Sequence, residues 1–274
     1  MSSEGGSAVR VTVSARTDVG NEREINEDNF LVADLSIRSR DFGDDPRTVG
    51  PKGVVFAICD GMGGAAAGEV ASDLGVETLY SSLVTATVTQ TRMTRDDFSA
   101  ALEAATHRAA SRIHEDAVSD SSRSGMGTTL TAAALVDGHA VFAQVGDSRA
   151  YLLRRGKLTQ ITRDQSLVAK LVERGSLKPE DVANFEHGNI ILQALGASPT
   201  VVVELTYIEL SRGDRLLLCS DGLHGMVPDE EIAQILAAGS DPSATCVALI
   251  ERAKELGGHD KVTTVVAFLD GGGL

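Results

Sequence analysis

The sequence predicts antiparallel β-sheets covered by helices, and three observations carry that prediction. Strand-like and helix-like segments come in blocks: strands, a helix pair, strands, a polar stretch, strands, a second helix pair and a last strand. Blocks of this kind, in place of single βαβ units, argue for antiparallel sheets with helices packed outside. Apolar and polar residues alternate over 9–14, the signature of a half-buried strand, and residues 54–59 form a continuous apolar run that reads as a buried one. That run ends in Asp60, and Gly61, Gly63 and Gly64 follow, so a rigid element delivers a carboxylate to an opening where the backbone can turn sharply.

In chain order, the strand at Val9, Val11 and Val13 leads into a charged stretch, residues 17–29, and a second apolar segment at 30–33. Residues 36–52 are polar with Gly and Pro and read as a loop to the 54–59 strand, so the first three strands are expected to pair antiparallel. Ala67, Val70, Ala71, Leu74 and Thr78 keep helical spacing. Thr94 is placed to cap a second helix, with Asp96 and Asp97 in its first turn and Phe98, Ala101, Leu102, Ala105, Ala109 and Ile113 along one face. Strands are expected at 128–136, 140–145 and 150–153, with Asp137-Gly138 as a tight hairpin turn and Gly146-Asp147-Ser148 as another turn. Residues 164–199 are more polar and read as a small appended lobe, with a short helix near 166–174 ending at Gly175 and another helix start at Pro179-Glu180-Asp181. Strands resume at 201–210 and 214–219. Pro228 with Asp229, Glu230 and Glu231 opens a helix. Asp241-Pro242 opens the last one, with Cys246, Leu249, Ile250 and Ala253 on one face. The final strand is expected at 262–269, within one domain over 8–270 that leaves 1–7 and 271–274 as tails.

Composition narrows the function. The net charge is −14, with no basic block, so a phosphate backbone would be repelled and nucleic acid is a poor partner. The three cysteines are scattered, with no CxxC pair, which argues against a zinc or redox site. Cys59 and Cys219 lie in apolar runs and read as core residues of a reducing compartment. No run approaches the roughly 18 apolar residues of a membrane helix, and residues 1–7 carry no signal pattern, so the expected location is the cytoplasm.

Asp28, Asp60, Asp147, Asp221 and Asp260 each flank an expected strand, and Asp60-Gly61 and Asp221-Gly222 repeat one setting. Carboxylates crowded together would repel and raise one another's pKa, a cost that a divalent cation removes; oxygen-only ligands favour Mg²⁺ or Mn²⁺. Spacing alone leaves these as either a site or ordinary Asp-Gly turns. The order of motifs decides further. Asp18-Val19-Gly20 with Arg23 and Asn26-Glu27-Asp28, Asp60-Gly61-Met62-Gly63-Gly64 with Gly68-Glu69, and Gly125-Met126-Gly127-Thr128-Thr129 come first. Gly146-Asp147-Ser148-Arg149, Ala194-Leu195-Gly196, Ser220-Asp221-Gly222 and Asp260 follow. In this order, over almost all of the chain, they resemble the protein phosphatase 2C family of metal-dependent serine/threonine phosphatases, in a bacterial form.

The resemblance implies a four-layer α/β (α+β) sandwich: two packed antiparallel sheets, helix pairs outside, metals in a cleft at one edge, and a flap over 164–199 that tunes substrate choice. It implies two Mn²⁺ or Mg²⁺ ions bridged by Asp60, with the Gly61 carbonyl, Asp221 and Asp260 as further ligands. Glu27 and Asp28 would act through metal-bound waters, and Asp147 with Asp221 would hold a possible third ion. Water between the cations would attack phosphorus in line, with Arg23 paired to the phosphoryl oxygens. No covalent intermediate is implied, so Cys59 is not needed as a nucleophile. The implied partners are phosphorylated proteins and the serine/threonine kinases that modify them, served by a monomer. Three positions depart from the family pattern: Met62 where a histidine is common in animal members, Lys261 where asparagine usually follows the last metal aspartate, and Gly188 where arginine is common. Lys261 would also suit a catalytically weak or silent phosphoprotein-binding relative. His187 and His259 read as surface histidines. A dinucleotide fold is the competing enzyme class, since Gly61-Met62-Gly63 with Ala66 follows a strand, but no second parallel strand ending in an acid follows.

Overall fold

The computed structural model describes residues 9–43, 45–63, 67–178, 181–182, 185 and 190–271. Gly64, Ala66, Pro179, Glu180, His187 and Gly188 therefore lie outside the described residues.

Two antiparallel sheets lie face to face. One has the order β3 (Arg47–Thr48), β1 (Arg10–Asp18), β12 (Val262–Asp270), β11 (Arg215–Cys219), β8 (Arg149–Arg154), β9 (Lys157–Gln160). The other has the order β10 (Glu204–Glu209), β7 (His139–Val145), β6 (Leu130–Val136), β4 (Val54–Met62), β2 (Asp28–Asp34), with β5 (Gly127–Thr128) pairing the end of β4. Helices α1 (Ala67–Thr87) and α2 (Arg95–Ser119) cover the second sheet. Helices α4 (Asp221–His224), α5 (Asp229–Ala238) and α6 (Pro242–Glu255) cover the first, and α3 (Leu167–Glu173) stands in the polar stretch before β10. Three apolar layers result, and the middle one, between the sheets, is built from Val13, Phe56, Ile58, Phe142, Leu216, Leu218, Val265 and their neighbours. The expected four-layer sandwich is the fold observed. No helix among the described residues is long and apolar enough to cross a membrane.

Local signals behave as their chemistry requires. Thr94 accepts from the Asp97 backbone N–H while the Asp97 carboxylate accepts from that of Thr94, a reciprocal cap that starts α2. Asp241 caps α6, with Pro242 in its first turn. Asp137 and Gly138 both take positive φ, 50° and 75°, the geometry that joins β6 to β7 in two residues.

Several expectations change. β1 does not pair with β2 or β4; its partners are β12 and β3 in the other sheet. Sequence proximity is a weak guide when two sheets compete for one strand. The expected 201–210 strand shortens to Glu204–Glu209, and β3 and β9, two and four residues long, are too short and polar to announce themselves. At the start of the polar stretch Asp164 is locked to Arg149 at 2.7 Å, and Gln165 accepts from the Gly146 backbone at 3.0 Å.

Candidate metal centre at the polar end of the sandwich

The alternation of strand side chains builds the site. Along β4, Val55, Ala57 and Cys59 face the helices, while Val54, Phe56 and Ile58 face the opposite sheet. Asp60 continues that second series, so its carboxylate stands at the end of the middle layer. Asp28 lies directly across from Asp60 in the β2–β4 register and shares the face of Phe30 and Val32. On β12, Leu269, Ala267 and Val265 fill the middle layer; two residues further back comes Thr263, and the next step in the series is Lys261. The layer thus changes from apolar to polar along its length. At the polar end Thr263 Oγ1 donates to Asp28 Oδ2 at 2.6 Å, the Asp60 backbone N–H donates to Thr129 Oγ1 at 3.0 Å, and the Thr263 N–H donates to Ser220 Oγ at 2.9 Å.

Glycines bring the remaining elements close. A Cβ on Gly61 would sit 2.2 Å from the Gly68 carbonyl oxygen and 2.5 Å from that of Glu27, so the ends of β4 and α1 and the chain entering β2 can touch only as bare backbone. A Cβ on Gly222 would sit 2.0 Å from the Lys261 carbonyl oxygen, which fixes α4, and Asp221 at its start, against the entry to β12.

The structure gathers Glu27, Asp28, Asp60, Asp147, Asp221 and Asp260 around this end. Burial, and then the charge of Asp60, raise the carboxyl pKa of Asp28 well above the ordinary value, against the opposing pull of Lys261. Asp221 is raised in the same way by burial and then by Asp60, Asp147 and Asp260. Asp147 is pushed up to about 7 by burial, Asp60 and Asp164. Burial also acts upward on Asp260, but Lys261, its backbone N–H and Arg23 outweigh it and hold this carboxyl low. Arg23 Nη2 donates to Asp260 Oδ2 at 2.8 Å from a side chain 54% exposed.

Four of the five buried side-chain polar atoms without a hydrogen-bond partner among the described residues belong to this set: Glu27 Oε1, Asp28 Oδ1, Asp147 Oδ1 and Asp221 Oδ1. Unpartnered buried carboxylate oxygens are costly, and an all-oxygen anionic donor set is what a hard divalent cation requires. The residues present fit such a cation. Among the described residues, though, no three such groups are already set as a finished cage. An ammonium lies between them: Lys261 Nζ is 3.1 Å from Asp60 Oδ1, 3.3 Å from Asp260 Oδ1 and 3.8 Å from Asp28 Oδ1.

The three cysteines are buried, and burial raises the thiol pKa of Cys59 and Cys219, so neither is set up as a nucleophile. His259 is exposed beside Glu22, consistent with a surface histidine. Sequence reasoning missed His224. It is half-buried in α4, its pKa lowered to about 4 by desolvation and Arg149, and its Nε2 lies 3.0 Å from the Asp147 carbonyl oxygen, where the neutral ring donates and fixes that turn. No motif announces it.

These shifts fix a sign. A carboxyl with a raised folded pKa keeps its proton in the folded chain after the unfolded chain has lost it, so the stability it gives is complete below about pH 4 and is lost as pH rises through the folded value. With chelator present, the thermal midpoint is expected to fall between about pH 5 and about pH 8, the window of Asp147. Saturating Mn²⁺ should reverse the slope, because cations bind ionised carboxylates. A midpoint that rises with pH in chelator would contradict the crowding described above.

The comparisons with known proteins agree with this architecture. The family model of protein phosphatase 2C matches residues 37–257. A serine/threonine phosphatase of Listeria innocua, stp, is 36% identical over 251 residues, 92% of this chain and 93% of that protein. The crystal structure of the Mycobacterium tuberculosis serine/threonine phosphatase PstP/Ppp superimposes with a TM-score of 0.80 at 36% identity, covering 95% of this chain and 99% of that one. The catalytic domain of PstP in complex with two manganese ions gives a TM-score of 0.78 at 36% identity, covering 96% and 99%. The fold is thus that of a class of metal-dependent phosphatases. The chain belongs to the protein phosphatase 2C family.

Proposed function

We infer that this chain hydrolyses phosphoserine and phosphothreonine esters on proteins with the help of divalent cations held by the acid cluster. The observation that carries this reading is the set of buried, unpartnered carboxylate oxygens of Glu27, Asp28, Asp147 and Asp221 around Asp60. In this reading Asp60, the Gly61 carbonyl, Asp221 and Asp260 hold two ions, Mn²⁺ or Mg²⁺. Glu27 and Asp28 orient water around them, and Asp147 with Asp221 serves a third. Bound cations lower the pKa of water and neutralise phosphoryl charge. The chain's own share is orientation. Thr263, Ser220 and Thr129 fix Asp28 and the backbone at Asp60, and His224 fixes the turn that carries Asp147.

Arg23 stands at the rim to receive the phosphate. Only its Nη2 is committed to Asp260 by the hydrogen bonds described, so the planar fork can still take two phosphate oxygens. Arg23→Ala is expected to lower kcat/KM for an aryl phosphate by roughly 10- to 100-fold, chiefly through KM, and Arg23→Lys to recover little of it, since an ammonium lacks the fork. An unchanged KM in Arg23→Ala would remove the arginine from this role.

Residues 8–270 act as one catalytic domain, with the stretch 164–199 beside the cleft tuning which phosphoproteins bind. The setting we assign is a cytoplasmic monomer working against serine/threonine kinases. The test is aryl-phosphate hydrolysis with Mn²⁺, with Mg²⁺ and with chelator. Turnover that needs the metal supports the reading; a folded chain with no turnover in any of the three favours a silent phosphoprotein-binding relative.

A further inference from the structure

We propose that the Lys261 ammonium is a built-in counter-ion of the acid cluster, which a divalent cation has to displace, so that metal loading in this chain is an exchange of one cation for another. The proposal rests on the reading that these carboxylates hold metal. Three distances carry it, since Nζ reaches Asp60 and Asp260, two of the proposed ligands, and Asp28, which would orient water around the ions, at 3.1, 3.3 and 3.8 Å. The side chain is only 7% exposed, so this is an interior position and not a surface lysine resting on an acidic rim.

The backbone gives Lys261 little freedom to sit elsewhere. Its place two residues before Thr263 aims it along the inter-sheet face, its N–H donates to Asp260 Oδ1 at 2.7 Å, and Gly222 is pressed against its carbonyl. A buried ammonium is tolerable only when paired, and here the cluster pairs it. The same oxygens cannot also serve a divalent cation at contact distance, because like charges within about 4 Å in a partly desolvated cleft repel strongly. The lysine stem is long and rotatable, so the head can swing out while the backbone stays fixed. The chain thereby holds its acids together without metal and demands a higher metal concentration before it loads.

The test is calorimetric titration of Mn²⁺ into the full chain and into Lys261→Asn and Lys261→Gln. Both variants are expected to bind Mn²⁺ about tenfold tighter or more, and to unfold at lower temperature than the parent in chelator. Equal or weaker binding in the variants would overturn the proposal. A second measurement needs no substitution: acylation of Lys261 in the parent chain by an amine-reactive ester, read by peptide mass spectrometry. It should rise several-fold on adding Mn²⁺, and an unchanged or reduced yield would count against exchange even if the variants fail to fold. Failure here is distinct from failure of the phosphatase reading. Variants that bind Mn²⁺ more tightly but hydrolyse no ester leave the exchange standing alone. A metal-dependent phosphatase whose Mn²⁺ affinity ignores residue 261 does the reverse.

Discussion

Asp60→Asn is expected to lower metal-dependent kcat/KM for an aryl phosphate by about a thousandfold or more, to the level seen with chelator. The size follows from position. Asp60 faces Asp28 across the β2–β4 pair, acts on the titration of Asp28, Asp147 and Asp221, and is the carboxylate nearest the Lys261 ammonium. Neutralising it therefore disturbs Asp28, Asp147, Asp221 and Lys261 at once. The variant keeps the side-chain shape, and the backbone bond from residue 60 to Thr129 does not involve the carboxylate, so the fold should persist by circular dichroism. A folded Asp60→Asn protein with parental activity would mean that hydrolysis does not run through this cleft.

Phe56→Ala is expected to cost about 3–5 kcal/mol of stability in urea unfolding at fixed metal concentration. Phe56 is fully buried in the middle layer, edge-on to Phe42 with ring centroids 6.4 Å apart, and lies four residues below Asp60 on the same face of β4. Removing the ring leaves a cavity between two sheets whose backbones are each tied into six-stranded ladders and cannot close onto it. A loss under about 1 kcal/mol would mean the sheets pack more loosely than the interleaved side chains indicate.

Local chemistry was legible in the sequence and partnership was not. The cap at Thr94, the turn at Asp137-Gly138 and the buried run into Asp60 each depend on a few adjacent residues, and each stands where the pattern put it. The pairing of β1 with β12 depends on residues some 250 positions apart, and nothing near Val11 announces it. The acids at strand ends were visible, but spacing could not say that they converge; the ordered motifs supplied that. Lys261 could be seen as a departure from pattern, yet its consequence lay in parity. Leu269, Ala267, Val265 and Thr263 share a face, and counting back one more step aims Lys261 into the cleft. His224 had no comparable signal, because its partner is a backbone carbonyl 77 residues away.

The pairing of β1 with β12 sets the order in which the protein can come into being. β12 lies between β1 and β11, and it is the last strand among the described residues. A ribosome delivering residues from the front exposes β1 long before β12 exists, so the edge that β12 pairs must wait unsatisfied. Asp260 and Lys261 emerge at the threshold of the same closing strand. The acids of the earlier segments therefore remain without their last carboxylate and their internal ammonium until residues 260 and 261 have been made. Assembly of the sheet and arming of the cleft are one event, and a chain stopped short of residue 260 can accomplish neither.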